Sequence, residues 1–225
     1  MNIPIRKIAA EFLGVAFILA ATVGASFSAS AFGPVAIAAV FALMLLVAAP
    51  ISGGHLNPAV SLFFLARRKM SLADFGWYLL AQFTGALAGV WLGGALWGVL
   101  SLSVNPGIAT TKVSLLSEAV GTAVLVAIFG QFASLKLERL IPVAAAGWFF
   151  AVGIFGPAGA ILNPAATFAS IFAAQGSISA AQAGGFVVAQ VFGTLIAVIV
   201  LGFVFKPMGG GKTKGKKKAK KAKKK

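Results

Sequence analysis

The sequence predicts an all-α membrane protein with six transmembrane helices and two re-entrant half-helices in an inverted repeat. Of its 225 residues, 60% are hydrophobic and only four are acidic, and the mean hydropathy is +0.98. A soluble domain of this length could not cover so much apolar surface. The prediction depends on this composition, on six long apolar runs, and on one tripeptide that occurs twice.

Six apolar runs have about the length that a bilayer-spanning helix needs, roughly 20 residues. They cover residues 8–27, 34–51, 75–99, 115–133, 140–155 and 183–205. The first run carries Glu11 and has no clear cleavage site, so we expect a transmembrane helix there and not a secretory signal. The chain has no cysteine, which excludes disulfides and thiolate metal sites.

The tripeptide Asn-Pro-Ala occurs at residues 57–59 and again at residues 163–165. Asn is a good helix N-cap and Pro suits the first helical position, so each copy predicts a helix start. The apolar stretches that follow, 59–66 and 165–173, are about half a membrane long. One copy alone would be an ordinary helix cap. Two copies in matching positions predict helices that start inside the bilayer, which requires a pore or a buried site.

Four landmarks recur at offsets of 106 to 108 residues, which indicates two related halves. They are Glu11 and Glu118, Pro34 and Pro142, Asn57 and Asn163, and Gln82 and Gln190. Each half holds three spans, so the halves must have opposite topology, and the two tripeptides should meet near the midplane. We expect one channel domain over 1–205, with repeat one at about 5–100 and repeat two at about 112–205.

The formal charge of +15 is concentrated at the end of the chain, because eleven of the nineteen basic residues lie in 206–225. We expect this Lys-rich stretch to be a disordered cytoplasmic tail that can contact anionic headgroups, and we expect no nucleic-acid partner. Lys112 is alone on one side of the six predicted spans. The opposite side carries Arg6, Lys7, Arg67, Arg68, Lys69, Lys136 and Arg139. The positive-inside rule then predicts a multi-pass protein of the cell (inner) membrane with both termini cytoplasmic.

Residues 51–60 and 159–165, which contain the two tripeptides, resemble the two signatures of the major intrinsic protein family, the aquaporins and glycerol facilitators. The resemblance covers about residues 5–205. It implies an aquaporin-like fold and a passive channel through each protomer of a homotetramer, with no enzymatic activity and no cofactor or metal. The pore motifs would be Asn57, Pro58, Ala59, Asn163, Pro164 and Ala165, with both Asn amides donating to passing water or hydroxyl groups.

Several polar residues and glycines lie in or beside the predicted spans. Glu11 and Glu118 could carry protons, but we favour a structural role in which each accepts hydrogen bonds from a re-entrant loop. The resemblance suggests that His55 also braces its loop and contributes a carbonyl to the pore wall. We expect Gln82 and Gln190 to join helices. We expect close helix crossings at Gly14, Gly85, Gly89, Gly121 and Gly193.

The selectivity filter departs from the family pattern of an aromatic, a His, a small residue and an Arg. Counting from the two Asn residues gives Ile37, Ala151, Ala160 and Ala166, where the counts to Ile37 and Ala151 assume no gap. Such a constriction would be wider and apolar, without the cation that orients hydroxyls. Thr167 also stands where many glycerol facilitators have Asp.

These residues predict passage of water and small uncharged solutes. The alternative is a facilitator mainly for larger neutral solutes, such as glycerol or metalloid hydroxides like arsenous acid, with low water flux. A secondary transporter would need coupling residues at the midplane, where only Glu11, Glu118 and His55 are available. An intramembrane enzyme would need a cluster of catalytic side chains, which the sequence lacks. A closed pore with an adhesive or scaffolding tail is the remaining alternative.

Overall fold

The computed structural model describes residues 4–28, 30–99, 111–156, 161–174 and 178–204. Within them, six helices are long and apolar enough to cross a membrane, and two are short. This confirms the predicted all-α fold. The helices are α1 (Ile5–Ser28), α2 (Gly33–Ser52), α3 (Pro58–Ala66), α4 (Leu72–Leu96), α5 (Lys112–Ser134), α6 (Ile141–Phe155, after a 3-10 turn at Glu138–Leu140), α7 (Pro164–Ser170) and α8 (Ala180–Phe203).

Hydroxyl side chains cap the N-termini of three of the long helices. Each accepts a hydrogen bond from a backbone N–H three residues further on, which satisfies one of the free donors at a helix N-terminus. The pairs are Ser71 with Asp74 in α4, Thr111 with Ser114 in α5, and Ser179 with Gln182 in α8. Polar caps therefore define where the chain enters these apolar helices.

The two halves are built around equivalent close crossings, α1 with α4 and α5 with α8. A Cβ on Gly85 of α4 would overlap the Phe12 carbonyl oxygen of α1. A Cβ on Gly193 of α8 would overlap the Ala119 carbonyl oxygen of α5. Small residues let membrane helices approach until their backbones touch. Glycines that contact backbone at matching positions of the repeat account for the similar packing of both halves.

We expected Gly14 and Gly121 to lie at close helix crossings, but both face leucine side chains instead. A Cβ on Gly14 would overlap the side chain of Leu56, and one on Gly121 would overlap Leu162. Both leucines belong to the segments that precede the half-helices, and both are fully buried. These two glycines therefore make room for the re-entrant loops.

The half-helices α3 and α7 each pack against both α4 and α8, so each contacts both halves of the molecule. Helix α7 ends at Ser170, three residues before the predicted end. Beyond it the backbone bonds span three residues and not four, from Ile171 N to Phe168 O (3.3 Å) and from Phe172 N to Ala169 O (3.0 Å). This tightening ends the α-helix. The Lys-rich stretch 206–225 lies outside the described residues.

Candidate pore and its lining

The two Asn-Pro-Ala motifs meet at the centre of the bundle through reciprocal hydrogen bonds. Asn57 Nδ2 donates to the Leu162 carbonyl at 2.8 Å, and Asn163 Nδ2 donates to the Leu56 carbonyl at 2.9 Å. Each Asn therefore binds the loop of the other half. The positive N-terminal ends of α3 and α7 are held together as a result.

Each Asn is also the N-cap of its own half-helix, which fixes the orientation of its amide. Asn57 Oδ1 accepts from Ala59 N at 2.8 Å. Asn163 Oδ1 accepts from Ala165 N at 3.0 Å and from Ala166 N at 3.3 Å. Because the first backbone N–H groups of the half-helix bind Oδ1, the amide nitrogen must point away from that half-helix. One N–H binds the opposing loop, and the second is available to a solute.

Glu11 holds the first re-entrant loop with four hydrogen bonds. Its Oε1 accepts from Ser52 Oγ (2.6 Å) and His55 N (2.9 Å), and its Oε2 accepts from Leu56 N (2.6 Å) and Gln82 Nε2 (2.7 Å). The carboxylate is completely buried. A loop inside the bilayer has no water to satisfy its N–H groups, so this carboxylate supplies the acceptors.

Glu118 does the same for the second loop with three donors. Ile161 N donates to Oε1 at 2.7 Å, and Leu162 N (2.9 Å) and Gln190 Nε2 (2.7 Å) donate to Oε2. Gln190 Nε2 also reaches Thr167 Oγ1 at 2.8 Å. The two halves thus repeat one Glu–Gln arrangement, and neither Gln lines the cavities described below.

Leu56 and Leu162 have the left-handed backbone conformation, with φ of 49° and 55°. This conformation is uncommon for a residue with a branched side chain and persists only where surrounding contacts impose it. Here the N–H of each leucine binds a buried Glu and its carbonyl binds the opposing Asn. The sequence contained no direct signal for this strain, although the glycines opposite both leucines are consistent with it.

Two cavities lie at opposite ends of the bundle. The first, of about 330 Å³, is lined by both pore Asn residues and by three hydroxyl side chains, Thr22, Ser26 and Ser170; we call it the hydroxyl-lined cavity. The second, of about 720 Å³, is lined by Arg67, Lys69 and Lys136 together with Glu138; we call it the cation-lined cavity. The paired motifs lie between them.

His55 lines the cation-lined cavity and is held on several sides. Its Nδ1 lies 3.0 Å from Ser61 Oγ. Its ring stacks on Phe64 with the centroids 4.7 Å apart and meets Tyr78 edge-on at 5.2 Å. The side chain is 8% exposed. These contacts fix the imidazole at the point where the first loop turns toward α3.

Of the four predicted filter residues, Ile37 and Ala166 line the hydroxyl-lined cavity. Ala160 lies outside the described residues. Ala151 is partly buried and does not line this cavity, whereas Phe149, Phe150 and Gly153 of α6 do. These three positions span an arc of about 100° on the helix, and residue 151 lies about 100° beyond the edge of that arc. The ungapped count did not identify Phe149 and Phe150, because spacing alone does not give the rotation of α6, and Ala151 stays a prediction.

In the described ranges, no three His, Asp or Glu side chains come together as a metal site would require. The polar groups at the centre are amides, hydroxyls and two carboxylates that already accept three or four hydrogen bonds. This arrangement can pass hydrogen-bonding solutes.

Comparison with known proteins gives a consistent result. A family model described as "Major intrinsic protein" matches residues 2–156. The chain is 30% identical over 220 residues to the aquaglyceroporin AqpS of Rhizobium meliloti (strain 1021), covering 90% of this chain and 91% of that protein. It is 35% identical over 191 residues to the lens fiber major intrinsic protein of Gallus gallus, covering 73% and 69% of the two chains.

A solved structure has the same architecture. The X-ray structure of the aquaglyceroporin from Plasmodium falciparum superposes with a TM-score of 0.72 and 20% sequence identity. The match covers 91% of this chain and 98% of that one. At this level of identity the likeness concerns the fold.

Proposed function

Because the chain belongs to the major intrinsic protein family, whose members are passive channels and not enzymes, we propose that it conducts water and small uncharged solutes across a membrane. The observation that carries the proposal is the reciprocal bonding of Asn57 and Asn163 at the junction of the two half-helices. The pore motifs comprise these two residues with Pro58, Ala59, Pro164 and Ala165.

The same junction explains why ions should be excluded. Two helix N-termini that face each other carry partial positive charge, which opposes the passage of cations and protons. The pore Asn residues offer N–H donors to a solute oxygen and no group that would neutralise a cation. A neutral solute exchanges its water hydrogen bonds for those of the amides, so only uncharged solutes should pass readily.

We propose that the filter is wide and apolar. Ile37 and Ala166 contribute to it, the side chains of Phe149 and Phe150 support an apolar wall from α6, and Ala151 and Ala160 remain predictions from the sequence count. Ala166 stands where water-selective relatives usually have Arg. Without that cation the constriction should admit solutes larger than water.

Two substrate profiles follow from this filter. In the first, water and small neutral solutes both pass. In the second, larger neutral solutes such as glycerol or metalloid hydroxides pass while water flux is low, because an apolar ring can dewet. Ala166 favours the second profile. The name of the Rhizobium meliloti relative, an aquaglyceroporin, also supports glycerol-sized solutes.

For assembly and placement, we propose a homotetramer in the cell (inner) membrane with both termini in the cytoplasm. The basic side chains of the cation-lined cavity support a cytoplasmic position for that end, through the positive-inside rule. The hydroxyl-lined cavity then opens to the outside. The Lys-rich stretch 206–225 would follow α8 on the cytoplasmic side, where it can contact anionic lipid headgroups.

The proposal is tested by stopped-flow light scattering on proteoliposomes, with water, glycerol and a metalloid acid measured at matched protein density. Glycerol flux well above that of protein-free liposomes supports the wide filter. Fast water flux with little solute flux would contradict the wide filter but would still agree with a channel function. Flux no greater than in protein-free liposomes for every solute would contradict the channel itself.

A further inference from the structure

Three hydroxyl groups line the hydroxyl-lined cavity, and each donates its hydrogen to its own helix. Thr22 donates to the Ile18 carbonyl at 2.9 Å, and Ser26 donates to the Thr22 carbonyl at 3.1 Å. Ser170 donates to the Ala166 carbonyl at 2.8 Å. A hydroxyl has one hydrogen to donate and two lone pairs that accept. Because these hydrogens are already used, the three groups offer a solute acceptors only.

The rest of the described wall adds few donors. The polar hydrogens nearest the centre belong to Asn57 and Asn163, and one N–H of each already binds the opposing loop. Helices α2 and α6 contribute apolar side chains, among them Ile37, Phe41 and Phe149. Among the described residues, the cavity therefore has acceptors along α1 and α7, apolar groups along α2 and α6, and amide donors at its deep end.

We infer that Thr22, Ser26 and Ser170 determine solute specificity as an acceptor row. The row favours neutral solutes with several O–H donors over solutes of the same size in which a carbonyl replaces a hydroxyl. This inference rests on the proposed channel function.

The physical reason is the cost of leaving hydrogen-bonding groups unpaired. A solute that enters the cavity loses water, and each donor or acceptor without a new partner raises its barrier. Thr22 and Ser26 are four residues apart on α1, which is about 6 Å along the helix axis. A polyol can therefore exchange one acceptor for the next as it advances. A carbonyl oxygen finds no matching side-chain donor among the described lining residues before it reaches the Asn pair.

The test compares glycerol with dihydroxyacetone, which has the same three-carbon skeleton but a carbonyl in place of the central hydroxyl. Permeabilities of the native protein and of the variants Thr22→Val and Ser170→Ala are measured in proteoliposomes, and the leak of protein-free liposomes is subtracted. We expect glycerol permeability to fall by about fivefold per lost acceptor. Dihydroxyacetone and water should fall by less, so the ratio of glycerol to dihydroxyacetone should decrease.

Two further variants separate specificity from damage to the fold. Thr22→Ser retains the hydroxyl and should restore the native ratio. Thr84 makes the same kind of bond, from its Oγ1 to the Leu80 carbonyl at 2.6 Å, but it is exposed on α4 and does not line the cavity. Thr84→Val should therefore leave all three permeabilities unchanged.

An unchanged glycerol-to-dihydroxyacetone ratio in Thr22→Val and Ser170→Ala would overturn the inference. Equal losses for water, glycerol and dihydroxyacetone would overturn it as well, because they would indicate general damage to the pore. A native protein that conducts none of the three would refute the proposed channel function itself, an outcome visible before any variant is compared.

Discussion

At the scale of single residues, two buried carboxylates hold the pore loops without lining either cavity. Glu11 and Glu118 are completely buried and accept four and three hydrogen bonds respectively. Four of the seven donors are backbone N–H groups of the loops that carry Leu56 and Leu162. A proton carrier would need access to the solute path. The observed geometry instead supports the loop-bracing role favoured on sequence grounds.

Removing either carboxylate should destabilise the protein strongly. Each buried N–H left without a partner costs roughly 1–3 kcal/mol. We therefore expect both Glu11→Ala and Glu118→Ala to lower the thermal unfolding temperature in detergent, with the larger effect at Glu11. Glu138→Ala is the matched control, because Glu138 is exposed and should change stability by no more than about 0.5 kcal/mol. Equal unfolding temperatures for all three variants would contradict the bracing role.

Ala166 lines the hydroxyl-lined cavity, and we expect its small side chain to keep the constriction wide. Ala166→Arg should place a cation and a long side chain beside Asn163, so glycerol permeability should fall by at least about tenfold, or ~1.4 kcal/mol in barrier. Water permeability should be retained. Ala166→Leu separates charge from volume, because it adds bulk without charge. Undiminished glycerol flux in a folded Ala166→Arg protein would show that Ala166 is not part of the constriction.

At the scale of the elements, the crossings α1–α4 and α5–α8 fix the distance between the long helices, and hence where the half-helices can enter. The glycines at these crossings face backbone atoms of the partner helix. Backbone cannot move aside as a flexible side chain can. The position of the pore motifs therefore depends on small residues distant from the solute path.

Two alanine substitutions in the same helix test this dependence. A Cβ on Gly89 would overlap the Ala16 carbonyl, whereas a Cβ on Gly76 would meet nothing within 4 Å. Gly89→Ala should cost about 1–3 kcal/mol through overpacking. Gly76→Ala should be neutral or stabilise by up to about 1 kcal/mol, since Ala is the better helix former. Thermal unfolding of the two variants measures the difference, and similar unfolding temperatures would show that the crossing does not depend on Gly89.

The sequence predicted the elements well, because their signals are local. Apolar length marks the spans, and Asn followed by Pro marks the starts of α3 and α7. Features that depend on the packing of distant segments could not be obtained in this way. Gly14 and Leu56 are 42 positions apart, and no sequence period links them. Likewise, which α6 side chains line the cavity depends on the rotation of that helix, so counting residues did not identify Phe149 and Phe150.

At the scale of the whole molecule, charge and hydrogen bonding are distributed unevenly between the two ends. One cavity is lined by hydroxyls and aromatic side chains, and the other by Arg67, Lys69 and Lys136. The two half-helices are equivalent in the repeat, but the two cavities differ in the chemistry of their lining. A channel with such mouths presents different chemistry to the two sides of the membrane, while its centre remains nearly symmetric.

Truncation of the Lys-rich stretch tests whether the protein is a channel or a scaffolding protein. Deleting residues 209–225 should leave water and glycerol permeability unchanged at matched protein density, because the paired motifs lie far along the chain from this stretch. Binding to vesicles with anionic lipids should weaken, and more so at low salt, where electrostatic attraction is strongest. Loss of permeability on truncation would contradict the assignment of the pore to residues 1–205.

A channel that passes neutral solutes and excludes ions is tested by recording glycerol and proton flux together in one preparation of proteoliposomes. Glycerol flux is followed by light scattering, and proton flux by an entrapped pH-sensitive dye with valinomycin present to clamp the membrane potential. A neutral-solute channel centred on Asn57 and Asn163 predicts glycerol flux far above that of protein-free liposomes, with proton flux no higher than theirs. Proton flux that rises with the amount of protein, or glycerol flux that does not, would contradict it.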